Sequence, residues 1–399
     1  MVGERGLGVA YYLVVATVLG NIVYVRYVRE DTPAAPQHHH NLLNNPQETY
    51  KRPQEAANNK HSQTIKHTHR PTYTRKRAPA IKHIMYPLIF VGGHPRSGTT
   101  LLRSMLDAHG DVHCGEETHI VPRVAMFWHS LTNTSGNHHR MSQAGFTLEV
   151  MDRAVAKFLL RVIIKDGSGA TRLCNKDPFV MLTAVYLHRL FPKSKFIFVI
   201  RDGRAVIHSV ISRGVMCHCV SIMGFNAASE EESLRTWSVA TSSMYQQCEQ
   251  LGPTSCLPVF YEQLIIHPRQ VMRAVLKFLD LPWRASVLQH QKFIGRENGR
   301  ISLNPLEKST SQVQQARYTE ALTSWVGRLP FHFLQDMNVL APMLAVLGYD
   351  PHANPPQYHK LTYTWGQKPL NMTSADRHSV RRFFSALYHR ANANTKPIH

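Results

Sequence analysis

A chain of 399 residues with 43% hydrophobic content is long enough for one sizeable core with appendages, or for two modest domains. Its 46 Lys and Arg against 26 Asp and Glu leave a net charge of +20, which excludes a generic acidic cytosolic enzyme and points to anionic partners. Much of that charge lies outside the middle of the chain: residues 51–82 hold nine basic side chains and one acidic, residues 353–399 seven and one, and the body between them is only mildly basic.

Residues 7–25 carry no charge, and only Thr17 and Asn21 among them are clearly polar. A helix of that length spans roughly 28 Å, close to the hydrocarbon thickness of a bilayer. Tyr11, Tyr12, Tyr24 and Tyr27 are placed as interface anchors. The run is longer than the apolar part of a usual cleaved signal peptide, so residues 1–29 are expected to form an uncleaved signal-anchor. Arg26 and Arg29 after it would on their own put the body in the cytoplasm, a weak signal that the cysteines and sequons below outweigh. Residues 30–82, rich in Pro, Asn, Gln, Thr and His and without apolar periodicity, read as a disordered basic stem. Residues 357–399 read as a basic tail with helical spacing near 379–390.

Six cysteines are an even number, and Cys248 and Cys256 flank a Gly252-Pro253 turn at a spacing that can close a small disulfide loop. With the N-glycosylation sequons at Asn133 and Asn371, they favour an oxidising compartment. No CxxC pair exists, Cys217 and Cys219 are too close for an ordinary zinc knuckle, and the 25 histidines are scattered or lie in polar tracts, so no metal site is expected.

At 88–91 a short β-prone run enters Gly92-Gly93-His94-Pro95-Arg96-Ser97-Gly98-Thr99-Thr100, and 101–108 then has the apolar spacing of a helix. This is the strand, glycine-rich loop and helix of an anion cradle. Gly93-x4-Gly98 has the spacing of the nucleotide-binding phosphate loop, whose glycines let N–H groups face phosphate oxygens. Thr99 occupies the place of the lysine of a triphosphatase, and Arg96 sits inside the loop. That disfavours a γ-phosphate with Mg²⁺ and favours a related sulfate- or phosphate-bearing donor. A second unit follows: the buried-strand pattern 195–200 runs into Arg201-Asp202-Gly203-Arg204 and a helical stretch 205–213. Arg201 at the strand's end and Ser209 on the helix could hold a second phosphate. Taken alone, Arg201-Asp202 reads equally well as a capped helix start; two such loops in one chain are much harder to obtain by accident.

Phe90 to Thr100 (FVGGHPRSGTT), LDAHGDVHCGEET at 106–118, LCNKDPF at 173–179, CLPVFYEQL at 256–264, EKSTSQV at 307–313 and APMLAVLGYDPHANPP at 341–356 resemble, in order, the tyrosylprotein sulfotransferases, a family of Golgi membrane enzymes. The GEET and CNKDPF segments set that group apart from other sulfotransferases. The resemblance implies an α/β catalytic domain over 83–356, with a phosphate-loop-like fold and a central, mostly parallel sheet carrying helices on both faces. It implies transfer of a sulfuryl group from 3′-phosphoadenosine 5′-phosphosulfate (PAPS) to tyrosine hydroxyls in acidic segments of secreted and membrane proteins. A phenol with a pKa near 10 needs a base, which by resemblance is Glu117. Arg96, Lys176 and Ser309 would stabilise the charge that develops around sulfur, with no metal required. By the same resemblance Ser97, Gly98, Thr99 and Thr100 surround the 5′-phosphate. Arg201, Ser209 and Arg213 hold the 3′-phosphate, Tyr261 holds the nucleoside, and Thr310 and Gln312 complete the donor set. Thr118, His119 and Arg123 face the acceptor.

Two positions depart from the family pattern: His119 stands where an arginine is common, and Ser324 where a nucleotide-contacting lysine is usual. A histidine reader would bind acidic peptides better as pH falls toward about 6.5. The resemblance pairs Cys114 with Cys174 and Cys248 with Cys256, which implies a lumenal body behind a type II Golgi anchor, and it suggests a homodimer. Cys217 and Cys219 fall in an apparent insertion and default to a buried thiol pair. A carbohydrate sulfotransferase and an inactive lumenal module binding acidic polymers are the competing readings. Nucleic acid is disfavoured, because the basic tracts lack interleaved aromatics.

Overall fold

The computed structural model describes residues 85–361 apart from 133–134, 165–169, 214–228, 296–300, 305–306, 308 and 315–318. The expected anchor, stem and tail helix, both sequons, Cys217 and Cys219 lie outside the described residues. Among the described residues no helix is long and apolar enough to cross a membrane.

Strands β1 (Ile89–Gly93), β2 (Val112–His113), β3 (Arg172–Lys176), β4 (Lys195–Ile200) and β5 (Cys256–Phe260) form one sheet in the order β2-β3-β1-β4-β5. Every pairing is parallel. They are joined by helices α1 (Thr99–Asp107), α2 (Ile120–Thr132), α3 (Ser135–Gln143), α4 (Leu148–Ile164), α5 (Ala184–Leu190), α6 (Gly203–Ile211), α7 (Glu230–Leu251), α8 (Tyr261–Ile266), α9 (Pro268–Phe278) and the single turn α10 (Thr310–Val313).

A parallel sheet buries both faces, and the period of two along each strand decides which side chain serves which face. Ile89, Val91, Ile197 and Val199 point into one cluster with Leu102, Met105 and Leu106 of α1 and Met272, Val275 and Leu276 of α9. Phe90, Phe196, Phe198 and Ile200 point the other way, into a larger cluster with Trp128 of α2, Val206 and Val210 of α6, and Trp237 and Met244 of α7. Both expected disulfides are formed, Cys114 with Cys174 and Cys248 with Cys256. The first ties the segment after β2 to β3, and the second ties α7 to β5.

The element boundaries differ from the sequence reading in instructive places. β1 runs on to Gly93, where a Cβ would collide with the Val199 carbonyl of β4, so the strand can continue only because the residue is glycine. Helix α6 begins earlier than expected, at Gly203, because the Asp202 carboxylate accepts from the Arg204 N–H and caps it. It also ends earlier, at Ile211, which leaves Arg213 exposed beyond it instead of on the helix.

Candidate active site

Because all five strands run the same way, their carboxyl ends share one edge of the sheet. Arg96 follows β1, Glu117 follows β2, Lys176 is the last residue of β3, Arg201 follows β4 and Tyr261 follows β5. β1 is central, and the chain leaves it toward β2 and β3 on one side before returning to β4 and β5 on the other. Its end is therefore the place where such sheets leave a crevice for ligands.

On the β1–β4–β5 side, Arg96 adopts a left-handed backbone conformation with φ 73°. Its Nε donates to Ser209 Oγ at 3.2 Å, and its guanidinium also donates to Ser309 Oγ and, at 2.7 Å, to Gln312 Oε1. Arg201 donates to the main-chain carbonyls of Arg96 and Ala321, each at 2.8 Å, and lies 4.6 Å over the Tyr261 ring. Gly98, with φ 99°, leaves room for that same ring, which a Cβ would strike. Arg96, Gly98, Arg201, Tyr261, Ser309 and Gln312 line an open cleft with Thr100, Leu101 and Val313. The buried Nε of Arg201 and the buried Oγ of Ser97 have no hydrogen bond. Two orphaned donor groups beside a glycine-rich turn and a buried guanidinium held by neutral carbonyls fit a phosphate-bearing ligand.

Arg213, Thr310 and Ser324 are not among the residues that line this cleft. Arg213 is exposed past the end of α6. The Thr310 hydroxyl is spent inside its own turn, donating to the Asn304 and Glu307 carbonyls. Ser324 is exposed beside the buried Trp325.

On the β2–β3 side, the fully buried Lys176 ammonium is shared by Glu117 Oε2 and, at 3.0 Å, by Glu307 Oε2. The other Glu307 oxygen accepts from the Glu117 N–H at 3.2 Å and so fixes the loop that carries it. His119, in a left-handed conformation with φ 58°, places Nε2 3.2 Å from Glu117 Oε1 and Nδ1 3.4 Å from Oδ2 of the buried Asp177. Glu116 faces away, accepting from Ser302, and Arg123 is exposed on α2. The sequence reading assigned no role to Glu307 or Asp177. Glu307 lies within the EKSTSQV segment, two residues before Ser309, and Asp177 directly follows Lys176, so proximity to assigned residues was the only available signal.

The surroundings separate the two carboxylates that share Lys176. Burial pushes Glu117 above the usual carboxylate range; Asp177 adds to this, and Lys176 and His119 oppose it. Burial also acts on Glu307, but Lys176 and the Glu117 N–H outweigh it and hold Glu307 low. Glu307 is thus the standing counterion, and Glu117 is the carboxylate poised to take a proton. His119 is raised, chiefly by its contact with Asp177, against burial and the nearby charge of Arg123. The donor atoms of Glu117, His119 and Asp177 lie within 4.8 Å of one another. The imidazole stands between the carboxylates with a different nitrogen toward each.

A family model described as the sulfotransferase family matches residues 87–285. Protein-tyrosine sulfotransferase 2 of Gallus gallus is 50% identical over 272 residues, covering 68% of this chain and 72% of that protein. Protein-tyrosine sulfotransferase 1 of Homo sapiens is 50% identical over 278 residues, covering 70% and 74%. Among solved structures, the sulfotransferase domain from the curacin biosynthetic pathway covers 65% of this chain and 97% of its own, at 21% identity and a TM-score of 0.45.

Proposed function

The chain belongs to the protein-tyrosine sulfotransferase family, and from that premise we propose how its side chains carry out tyrosine sulfation with PAPS. When bound, the donor supplies a sulfuryl group already activated on a phosphate. Arg201, Ser209, Tyr261 and the 97–100 turn hold the nucleotide, and Arg96 with Ser309 and Gln312 holds the sulfuryl end. Glu117 removes the proton of the acceptor phenol. Lys176 sits against Glu117 and supplies positive charge where the reaction accumulates negative charge, a role a metal ion takes in kinases. The observation that carries this reading is the pairing of a partly buried carboxylate, pushed upward, with a fully buried ammonium at the same strand edge as the anion cleft. A raised carboxylate is a stronger base toward a phenol of pKa near 10 than an ordinary one.

Acidic tyrosine-containing segments are the proposed acceptors, with Thr118 and Arg123 on their side of the cleft. The proposed setting is the Golgi membrane, with a type II anchor at 7–25, a glycosylated lumenal body and a homodimeric assembly. The two disulfides and the apolar run support that setting. The test is full-length protein made through a secretory route and supplied with PAPS carrying labelled sulfate, an acidic tyrosine peptide, its phenylalanine counterpart and a sugar acceptor. Label on the tyrosine peptide alone, lost in Glu117→Ala, is the expected result; label on the sugar would move the protein to the carbohydrate branch.

A further inference from the structure

The ring of His119 lies between two carboxylates, with Nε2 toward Glu117 and Nδ1 toward Asp177. A neutral imidazole has one N–H, so it satisfies one of these carboxylates and turns a lone pair toward the other; only the imidazolium donates to both. Asp177 cannot turn away to relieve the conflict. It is fully buried, its Oδ1 accepts from the Phe179 N–H, and its Oδ2, otherwise without a partner among the described residues, faces His119 Nδ1 at 3.4 Å. Glu117 is likewise held by Lys176. Counting the charged groups that face one another here, Glu117, Glu307 and Asp177 stand against Lys176 and His119, with Arg123 nearby. Loss of the histidine's proton leaves three carboxylates in the cluster, with the one buried ammonium paired to Glu117 and Glu307 and none to Asp177 among the described residues.

From this we infer that His119 is a positioning residue for the base: as the imidazolium it holds the Glu117 carboxylate in its working orientation, so that turnover falls when His119 loses its proton. The inference rests on the assignment of Glu117 above, and it gives His119 a task different from reading the acceptor's acidic residues. Contact with Asp177 keeps the proton on His119 beyond the ordinary histidine range, so the fall lies on the alkaline side, above about pH 6.5.

The test is the pH profile of kcat at saturating PAPS and acidic tyrosine peptide, measured on the full chain from about pH 5 to 9. Wild type is expected to show an alkaline limb that disappears in His119→Arg, which is charged throughout, while the acid limb of Glu117 remains. His119→Gln, which keeps an N–H donor group but carries no charge, is expected to lose about 10- to 100-fold in kcat across the range, with thermal unfolding near wild type. An alkaline limb that persists in His119→Arg, or a change confined to acceptor KM in His119→Gln, would overturn the inference in favour of acceptor reading. A readout independent of turnover is the NMR titration of ¹³C-labelled histidine, the His119 signal being the one missing in His119→Gln. Its midpoint should lie above 6.5 and fall in Asp177→Asn; a midpoint at or below 6.5 sinks the inference. Absence of any tyrosine label in wild type would instead count against the proposed function.

Discussion

The two sides of the active-site cleft hold their cations by different chemistry. Arg201 is buried against main-chain carbonyls and an aromatic ring, and Arg96 reaches hydroxyl and amide oxygens, whereas Lys176 is clasped by two carboxylates and His119 stands between two more oxygens of the same kind. Neutral partners satisfy geometry and leave charge available for an anionic ligand. Carboxylate partners offset the charge of the ammonium until one of them takes up a proton, which frees that charge for the reacting groups and makes the cluster a place for proton transfer. One edge of one sheet is thereby divided into a binding half and a reacting half.

The strongest way to break that division is Glu117→Gln. Its expected effect is a loss of about 10²–10⁴ in kcat, the worth of a positioned base, with PAPS affinity measured by calorimetry nearly unchanged. A comparable loss of PAPS affinity would show that the halves are not separable. Because burial raises Glu117, the acid limb of wild-type kcat/KM should also lie above the ordinary carboxylate range.

The disulfide Cys114–Cys174 sits within the reacting half, joining the stretch that leads to Glu117 to the strand that ends in Lys176. Replacing both cysteines by serine is expected to cost about 2–4 kcal/mol of unfolding free energy, read by denaturant titration, and to lower kcat more than PAPS affinity. The same replacement at Cys248 and Cys256 closes a much shorter loop, remote from the cluster, and should affect stability alone. Equal kinetic losses from the two pairs would deny the first one its place in the site.

How much of this was legible beforehand follows the same division. The binding half is built from contiguous stretches in which a strand pattern, a turn and a helix pattern succeed one another, so Arg96, Ser97, Gly98 and Arg201 could be placed from local spacing. The unbroken apolar run Phe196, Ile197, Phe198 and Val199 likewise announced a strand buried on both faces. The reacting half is assembled from loops after β2 and β3 and the segment around Glu307, and Glu307 lies 131 residues from Lys176 and 190 from Glu117. Loops have no periodicity, and a carboxylate's partner across that separation is set only by the fold, so the roles of Glu307 and Asp177 emerge only in the folded chain. The end of α6 was expected at 213 instead of Ile211 for a local reason: apolar spacing through Val210 and Ile211 continues the helical pattern up to the point where the helix stops.

A second raised carboxylate sharpens the contrast, because it lies under the binding half and does no proton transfer. Glu262 is fully buried, accepting from the Asp202 N–H at 2.9 Å and the Tyr349 hydroxyl at 2.8 Å, and burial with Asp202 beside it pushes it up to about 7. Its folded form binds a proton more tightly than its unfolded form. The stability it contributes is therefore complete below about pH 4.5 and is lost as pH rises through about 7. Glu262→Gln should flatten that part of the stability profile, a difference on the order of 3 kcal/mol between its ends. The acid limb of kcat/KM should stay where Glu117 puts it. Movement of both profiles together would mean that the two carboxylates are one coupled system.

The smallest expected effect is the most direct probe of the binding half. Arg201→Lys keeps the positive charge but loses the planar fork that reaches the Arg96 and Ala321 carbonyls at once, along with the face laid over Tyr261. If the cleft attracted its ligand by charge alone, lysine would serve nearly as well. If it works by holding a guanidinium in a fixed frame with Nε left for the ligand, PAPS affinity should fall roughly 10-fold, the size of a charge-assisted hydrogen bond. Turnover at saturating PAPS should change little, because Arg201 touches neither Glu117 nor Lys176 in the contacts that orient them. A fall in kcat with PAPS affinity intact would place Arg201 in the reacting half and erase the boundary between the two.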